Sequence, residues 1–375
     1  MQQNARKKMK RKFKIFLATF FLATFFLQSA CSKKDAKTTS AAEPPASPEV
    51  KTFDEKNFPE ATMRKGYTHP YRWNTPEGEK VRFKEIWGYV LADRVNDWNR
   101  EAALTDIGLF AVEVDIYGNL TRAPSRSLIK NFNGRVHLVA VCQSQSLTHF
   151  VLDARFGKRD RLVNALIAAS KDFDGLQIDY ELVPKLDGED FAEFLRLLKK
   201  GLGSKQLTVC VHARTKKLKS DVEDYERLAN ICDKVMIMAY DEHWATSAPG
   251  SPASMEWCRR VGEYALSILP PEKYIIGVPF YGRSWEITND RTAGAWAFNG
   301  SSRRLIENGV EQIKRENGVP YFEFEKTVKV IQYFEDATSL LQRCRMYQSQ
   351  GFSNIAFWRM GQEDVVFWDW IETDK

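Results

Sequence analysis

Asp179 and Glu181 stand two residues apart in the stretch Phe173-Asp174-Gly175-Leu176-Gln177-Ile178-Asp179-Tyr180-Glu181-Leu182-Val183, and two carboxyls at that spacing suit acid/base chemistry. Side chains alternate across a strand, so Gln177, Asp179 and Glu181 share one face while Leu176, Ile178 and Tyr180 share the other. One face is polar and the other apolar. A carboxylate buried without partners is costly, so the pair must either meet solvent in a cleft or hold protons and hydrogen bonds. A plainer alternative, a wet strand end or a helix cap, is decided by context.

The elements that would position such a pair recur along the chain. From about residue 81, short apolar runs alternate with amphipathic helical stretches, the mark of repeated βα units and a parallel sheet. Eight strand candidates can be counted, at 86–91, 107–114, 136–142, 175–182, 207–212, 235–240, 274–280 and 354–358. The clearest helical patterns lie at 159–172, 189–200, 224–232, 254–269 and 337–350. This predicts an α/β fold, a (β/α)8 TIM barrel with a small insertion between strands 7 and 8 at about 285–328. No internal repeat is present. In such a barrel function collects at the C-terminal ends of the strands, so the residues that close each apolar run are the ones to inspect.

Several of those residues carry a resemblance. The central stretch resembles the DxxDxDxE signature of glycoside hydrolase family 18, the chitinase-like hydrolases, which lies on the fourth barrel strand. Asp174, Asp179 and Glu181 match it, and Gln177 departs from it. The sixth run, Val235-Met236-Ile237-Met238-Ala239-Tyr240-Asp241, is similar to the family's MxYD pattern. The first holds Trp87-Gly88-Tyr89, where the family keeps an inward tyrosine. The seventh, Gly277-Val278-Pro279-Phe280-Tyr281-Gly282-Arg283-Ser284-Trp285, resembles GxPxYGxxW, and the eighth puts Trp358 where the family has the floor of a sugar subsite. A core methionine or a strand tryptophan taken alone is commonplace; the matches on separate strands argue together. They cover most of residues 82–370, and Gln177 with the WRxGxED ending (358–364) resembles the bacterial cell-wall and spore-lytic branch more than secreted chitinases.

The resemblance implies a glycosidase with no cofactor and no metal, acting by the family's exception to the two-carboxylate rule, in which the substrate's own acetamido group assists. Glu181 would be the general acid and then the base, a role that burial in the barrel mouth would favour by keeping its proton. Asp179 would orient the acetamido nitrogen, and Tyr240 would hydrogen-bond its carbonyl. Gln177 would donate its amide to Asp179. Asp174, Tyr89, Met238, Asp241, Tyr281 and Trp358 would complete the substrate site. The substrate class is an N-acetylated glycan, either peptidoglycan or chitin. A sugar-binding protein that has lost catalysis is the competing reading, and the presence of Glu181 weighs against it.

The remaining features concern location. Seven of the 55 Lys and Arg residues lie in residues 1–30, where there is no acid, which leaves 48 basic against 49 acidic residues in the rest. The net charge of +6 is therefore local, and no electrostatic case for nucleic acid survives. Those cations precede an apolar run at 15–27, too short to span a bilayer and suited to a signal peptide (1–30). Leu27-Gln28-Ser29-Ala30-Cys31 resembles a lipobox, which makes Cys31 the lipidation site; ordinary cleavage and an uncleaved anchor are the alternatives. The expected organisation is a lipidated, flexible tether at 31–56, a lead-in at 57–81 and a catalytic domain at 82–375. The protein is expected to be exported, membrane-anchored through its lipid and monomeric. With Cys31 set aside, Cys142, Cys210, Cys232, Cys258 and Cys344 leave an odd number for a disulfide framework and read as small core residues. The five histidines are scattered, without metal-ligand spacing.

Overall fold

The computed structural model describes residues 76–287, 298–316 and 319–374. The signal, lipidation and tether assignments, Cys31 among them, and most of the 57–81 lead-in lie outside these residues. Eight parallel strands form the centre: β1 (Glu85–Leu91), β2 (Asp106–Val114), β3 (Arg135–Val141), β4 (Gly175–Asp179), β5 (Gln206–His212), β6 (Lys234–Met238), β7 (Tyr274–Pro279) and β8 (Asn354–Trp358). Each pairs with its sequence neighbours, and β8 pairs with β1, so the sheet closes into a barrel.

The chain closes this way because the strands bury both faces, most of them apolar, with Gln177 and Asp179 of β4 among the polar exceptions inside. Leu176, Ile178 and Tyr180 point outward into the large cluster that the helices cover. Trp87, Tyr89, Val139, Cys210, Met236 and Met238 point inward and fill the barrel. Helices α1 (Gln145–Leu152) and α2 (Arg159–Ala169) follow β3, α3 (Gly188–Leu202) follows β4, α4 (Tyr225–Ala229) follows β5 and α5 (Met255–Leu266) follows β6. Between β7 and β8 come α6 (Phe298–Glu307) and α7 (Ala337–Ser349). Several helix starts are set by capping side chains: Ser144, Asp224, Ser254 and Asp336 each accept a backbone N–H of the first turn.

Two ends of the barrel differ. At the N-terminal end, or floor, charged residues pair with one another. Asp106 accepts from Arg135 at 2.7 Å and from His137 at 2.8 Å, while Glu85 binds Arg135 at 2.8 Å and Lys234 at 2.7 Å. The indole of Trp87 stacks on His137 with centroids 4.2 Å apart. Gly175 is required here, since a Cβ at that position would lie 2.4 Å from His137 Nδ1. Below the floor, Val81–Phe83 pairs in parallel with Ile371–Thr373 and ties the ends of the domain together.

The insertion between β7 and β8 is present. Arg283–Ile287 pairs antiparallel with Lys329–Tyr333, and a hairpin of Lys314–Glu316 with Val319–Tyr321 lies between them. Its boundaries are wider than the expected 285–328, because the first and last strands pair with each other. No α-helix separates β1 from β2 or β2 from β3 among the described residues. All five described cysteines are buried free thiols.

Candidate active site

At the C-terminal mouth, the ends of the strands enclose a cleft of about 420 Å³. Asp179 closes β4 with Glu181 just beyond it on one side, and Met238 closes β6 with Tyr240 and Asp241 beyond it. Tyr281 and Arg283 follow β7, Trp358 and Arg359 close β8, and Phe110 and Gln143 come from β2 and the end of β3. One rule brings these positions together: inward residues at strand ends converge on the barrel axis.

The two carboxyls occupy different environments. Asp179, the last residue of β4, is only 7% exposed, and its Oδ1 has no hydrogen-bond partner among the described residues. Burial pushes its carboxyl up to about 7, and the neighbouring Glu181 charge adds to the shift. Glu181 lies beyond the strand, which ends at Asp179 rather than at Leu182, and its side chain is 29% exposed. Burial therefore falls on Asp179 and not on Glu181, contrary to the expectation from sequence. Both Glu181 oxygens are addressed: Oε1 accepts from Gln143 Nε2 at 3.0 Å, and Oε2 faces His212 Nε2 at 4.0 Å.

Gln177 corrects another expectation. It is fully buried one inward step below Asp179, but its amide nitrogen donates to Thr208 Oγ1 at 3.0 Å and its oxygen accepts from Tyr89 at 2.6 Å. Its hydrogen bonds run sideways to Thr208 on the adjacent β5 and over to Tyr89 of β1, not up the strand to Asp179. Tyr89, 2% exposed, lies beneath the cleft in this layer and supports Gln177 instead of lining the substrate space.

Asp174 is the clear misplacement. It precedes β4 at the floor, and its carboxylate accepts the Val136 N–H at 2.8 Å, clamping β3 to β4 far from the cleft. It stands five positions before Asp179, an odd offset that also assigns it to the other face. It is a strand clamp, not a substrate contact.

The other wall of the cleft is held by Asp241, which accepts from Tyr281 at 2.5 Å and Arg283 at 2.6 Å. Asp241 has φ of 62°, a left-handed backbone conformation that Asp tolerates better than most residues. Burial keeps the Tyr240 phenol protonated far above neutral pH, so it can only donate or accept as a neutral hydroxyl. Room for its ring comes from Gly277 of β7, where a Cβ would lie 3.1 Å from Tyr240 Cε1 and 2.7 Å from Met236 Cε. Trp358 packs edge-on against Phe110 at 4.8 Å and tilted against Tyr89 at 5.5 Å. Among the described residues no cluster of His, Cys, Asp and Glu is arranged to hold a metal ion.

The motifs do not single out Gln143, His212, Arg283 or Arg359 as site residues. Each follows or closes an apolar run, and that position is the signal by which the sequence marks them.

Comparison with known proteins adds the family. Residues 144–363, more than half of the chain, match the model for Glycosyl hydrolases family 18. The putative sporulation-specific glycosylase YdhD of Bacillus subtilis is 30% identical over 232 residues, 58% of this chain and 54% of that protein. The cortical fragment-lytic enzyme of Bacillus subtilis is 24% identical over 312 residues, 76% of this chain and 71% of its own. The chain thus spans about half to three quarters of these relatives' lengths. In fold, the spore cortex-lytic enzyme SleL of Bacillus cereus superposes with a TM-score of 0.62 at 21% identity, over 82% of this chain and 78% of that one. A class V chitinase from Pseudomonas fluorescens gives 0.58 at 18% identity, over 76% and 98%. The barrel, its cleft and the sequence match agree: the chain belongs to glycosyl hydrolase family 18, a family of glycosidases.

Proposed function

We propose that this protein is an exported, lipid-anchored hydrolase that cleaves β-1,4 bonds beside N-acetylglucosamine in peptidoglycan, by a retaining mechanism in which the substrate's acetamido group assists. The observation that carries the reading is the grouping of Asp179, Glu181 and Tyr240 around one cleft floored by Trp358. A flat indole suits the apolar face of a pyranose. Asp179 Oδ1, buried and without a protein donor among the described residues, suits the N–H of a 2-acetamido group. Tyr240 donates to the acetamido carbonyl and brings its oxygen toward the anomeric carbon. Glu181 protonates the leaving oxygen, and its carboxylate then takes a proton from water as the cyclic intermediate opens.

Peptidoglycan is favoured over chitin by charge. Chitin is neutral, whereas peptidoglycan carries carboxylates on its lactyl and peptide groups. Arg359 lines the cleft, and its hydrogen bond goes only to the Met360 carbonyl, at 3.3 Å, so none of the described carboxylates neutralises it. The spore cortex-lytic names of several relatives point the same way. Chito-oligosaccharides are the second reading, supported by the fold shared with chitinases.

The test is incubation of residues 51–375 with purified peptidoglycan and with chito-oligomers, with products identified by mass. New N-acetylglucosamine reducing ends from peptidoglycan are expected; cleavage of chito-oligomers alone would move the assignment to chitinase, and cleavage of neither would remove catalysis. Location is tested separately by metabolic lipid labelling, where Cys31→Ala is expected to abolish the label.

A further inference from the structure

His212 closes β5 beside the catalytic acid, and the family reading gives it no part. Its ring is held firmly. Nδ1 lies 2.8 and 3.0 Å from the two oxygens of Glu223, and one of those oxygens also accepts the His212 backbone N–H at 2.7 Å. Glu223 is itself 4% exposed and braced by Arg214 at 3.3 Å, which Asp221 holds in turn. The Tyr225 hydroxyl donates to the His212 carbonyl at 2.9 Å and pins the strand end. With Nδ1 committed to Glu223, Nε2 is left for Glu181, whose Oε2 lies 4.0 Å away. Gln143 holds the other oxygen of Glu181 from the opposite side.

We propose that His212 is a positioning residue for the catalytic acid, an imidazolium fixed by Glu223 that stabilises the carboxylate which Glu181 becomes on giving up its proton. The idea rests on Glu181 being the general acid. No proton moves to or from His212: the glycosidic C–O bond breaks, the leaving oxygen takes the Glu181 proton, and the new carboxylate finds a cation beside it. Water returns that proton to Glu181 in the second half of the cycle.

Charge around the ring favours its cationic form. The hydrogen bond to Glu223 raises the His212 imidazole above its usual value, opposed by partial burial and by Arg214 and assisted by Glu181. Its charge in turn lowers the carboxyl of Asp179 against the upward pull of burial and of Glu181. His212 is therefore coupled by charge to both Asp179 and Glu181, with Glu223 and Arg214 packed around its ring.

Two measurements test this. The first needs no substrate: the His212 ring resonance is titrated by NMR in the wild type and in Glu181→Gln, assigned by its loss in His212→Gln. A lower titration midpoint in Glu181→Gln is expected, and an unmoved midpoint overturns the proposal even if hydrolysis is proven. The second is kcat against pH for wild type, His212→Gln and Glu223→Gln, each first shown to melt cooperatively. His212→Gln is expected to lose about tenfold in kcat with little change in KM, and to move the alkaline limb upward, because an ionised Glu181 is costlier without its cation. Glu223→Gln is expected to move it in the same direction by less. A kcat loss with an unchanged profile shape means a packing role and overturns the proposal. Wild-type protein inactive on every N-acetylated glycan would instead defeat the functional reading, with the NMR result still deciding the contact.

Discussion

Asp106 and Asp179 are the same residue type, both buried inside one barrel, at opposite ends of it, and they ionise in opposite directions. At the floor, burial would raise the Asp106 carboxyl, but hydrogen bonds from His137 and Arg135 outweigh it and hold the group below its ordinary value. At the mouth, burial raises Asp179 to about 7, and the charge that acts on it most is another carboxylate, Glu181, which raises it further. The difference lies in the partners. The floor supplies cations and donors until each carboxylate is matched, while the mouth leaves Asp179 Oδ1 unmatched by the described residues. A matched buried charge serves stability, whereas an unmatched one is poised to exchange a proton or receive a ligand's donor.

The largest expected effect is on the chemistry. On the proposed mechanism, Glu181→Gln replaces the proton donor with a near-isostere and is expected to lower kcat about 100- to 10,000-fold, with substrate binding and thermal stability retained. Turnover near that of wild type would remove Glu181 from the mechanism and weaken the claim that the mouth is the working end. Next comes the floor. Asp106→Asn keeps the shape but removes the charge that answers Arg135 and His137, and is expected to cost about 2–4 kcal/mol in denaturant unfolding. A neutral result would mean that the floor network is surplus to stability.

Asp179→Asn sharpens the contrast with the opposite sign. The folded carboxyl at about 7 lies above its ordinary 3.8, so between those values the folded state binds more protons than the unfolded chain. The contribution of Asp179 is fully present below pH 3.8 and declines as pH rises to about 7. Asparagine removes that decline, and a gain of roughly 1–3 kcal/mol above pH 7 is expected, together with loss of hydrolysis of N-acetylated substrates. Asp106 behaves the other way, contributing above its unfolded value and losing that contribution in acid. Urea unfolding at about pH 3, pH 5 and pH 8 for both variants separates the two.

The smallest effect is expected from Gln177→Asp. Because the native amide bonds to Tyr89 and Thr208 and not to Asp179, the new acid perturbs the mouth only through charge. A displacement of the acid limb of kcat by about one pH unit or less is expected, with KM unchanged. A larger displacement would mean that the second layer of the barrel is electrically part of the site.

These contrasts are only partly legible in the sequence. The eight apolar runs locate the strands to within one or two residues at most ends, since the strands are buried and the runs are short. The exception is β4, which the pattern carries through Leu182, because Tyr180 continues the outward face by stacking over Phe194 of α3 after the ladder has already ended. Asp179 and Glu181 stand out by their spacing. Their environments do not, because the depth of a strand end below its loops is set by residues from other strands. Asp174 enters through the motif alone, although its odd separation from Asp179 argues against it. The partners of Gln177 come from β1 and β5, 88 and 31 residues away in the chain, and no local pattern encodes which of two neighbours an amide will choose.

The strand pair formed by Arg283–Ile287 and Lys329–Tyr333 has a consequence for how this enzyme could be diversified. Its described fastenings to the mouth are few: Arg283 on Asp241, and the Trp285 indole donating to the Ser247 carbonyl at 3.1 Å. Asp179, Glu181, His212 and Tyr240 all belong to other strands and loops. The wall is therefore an exchangeable cassette. Descendants could lengthen, shorten or recharge it while the ends of β4, β5 and β6 stay as they are.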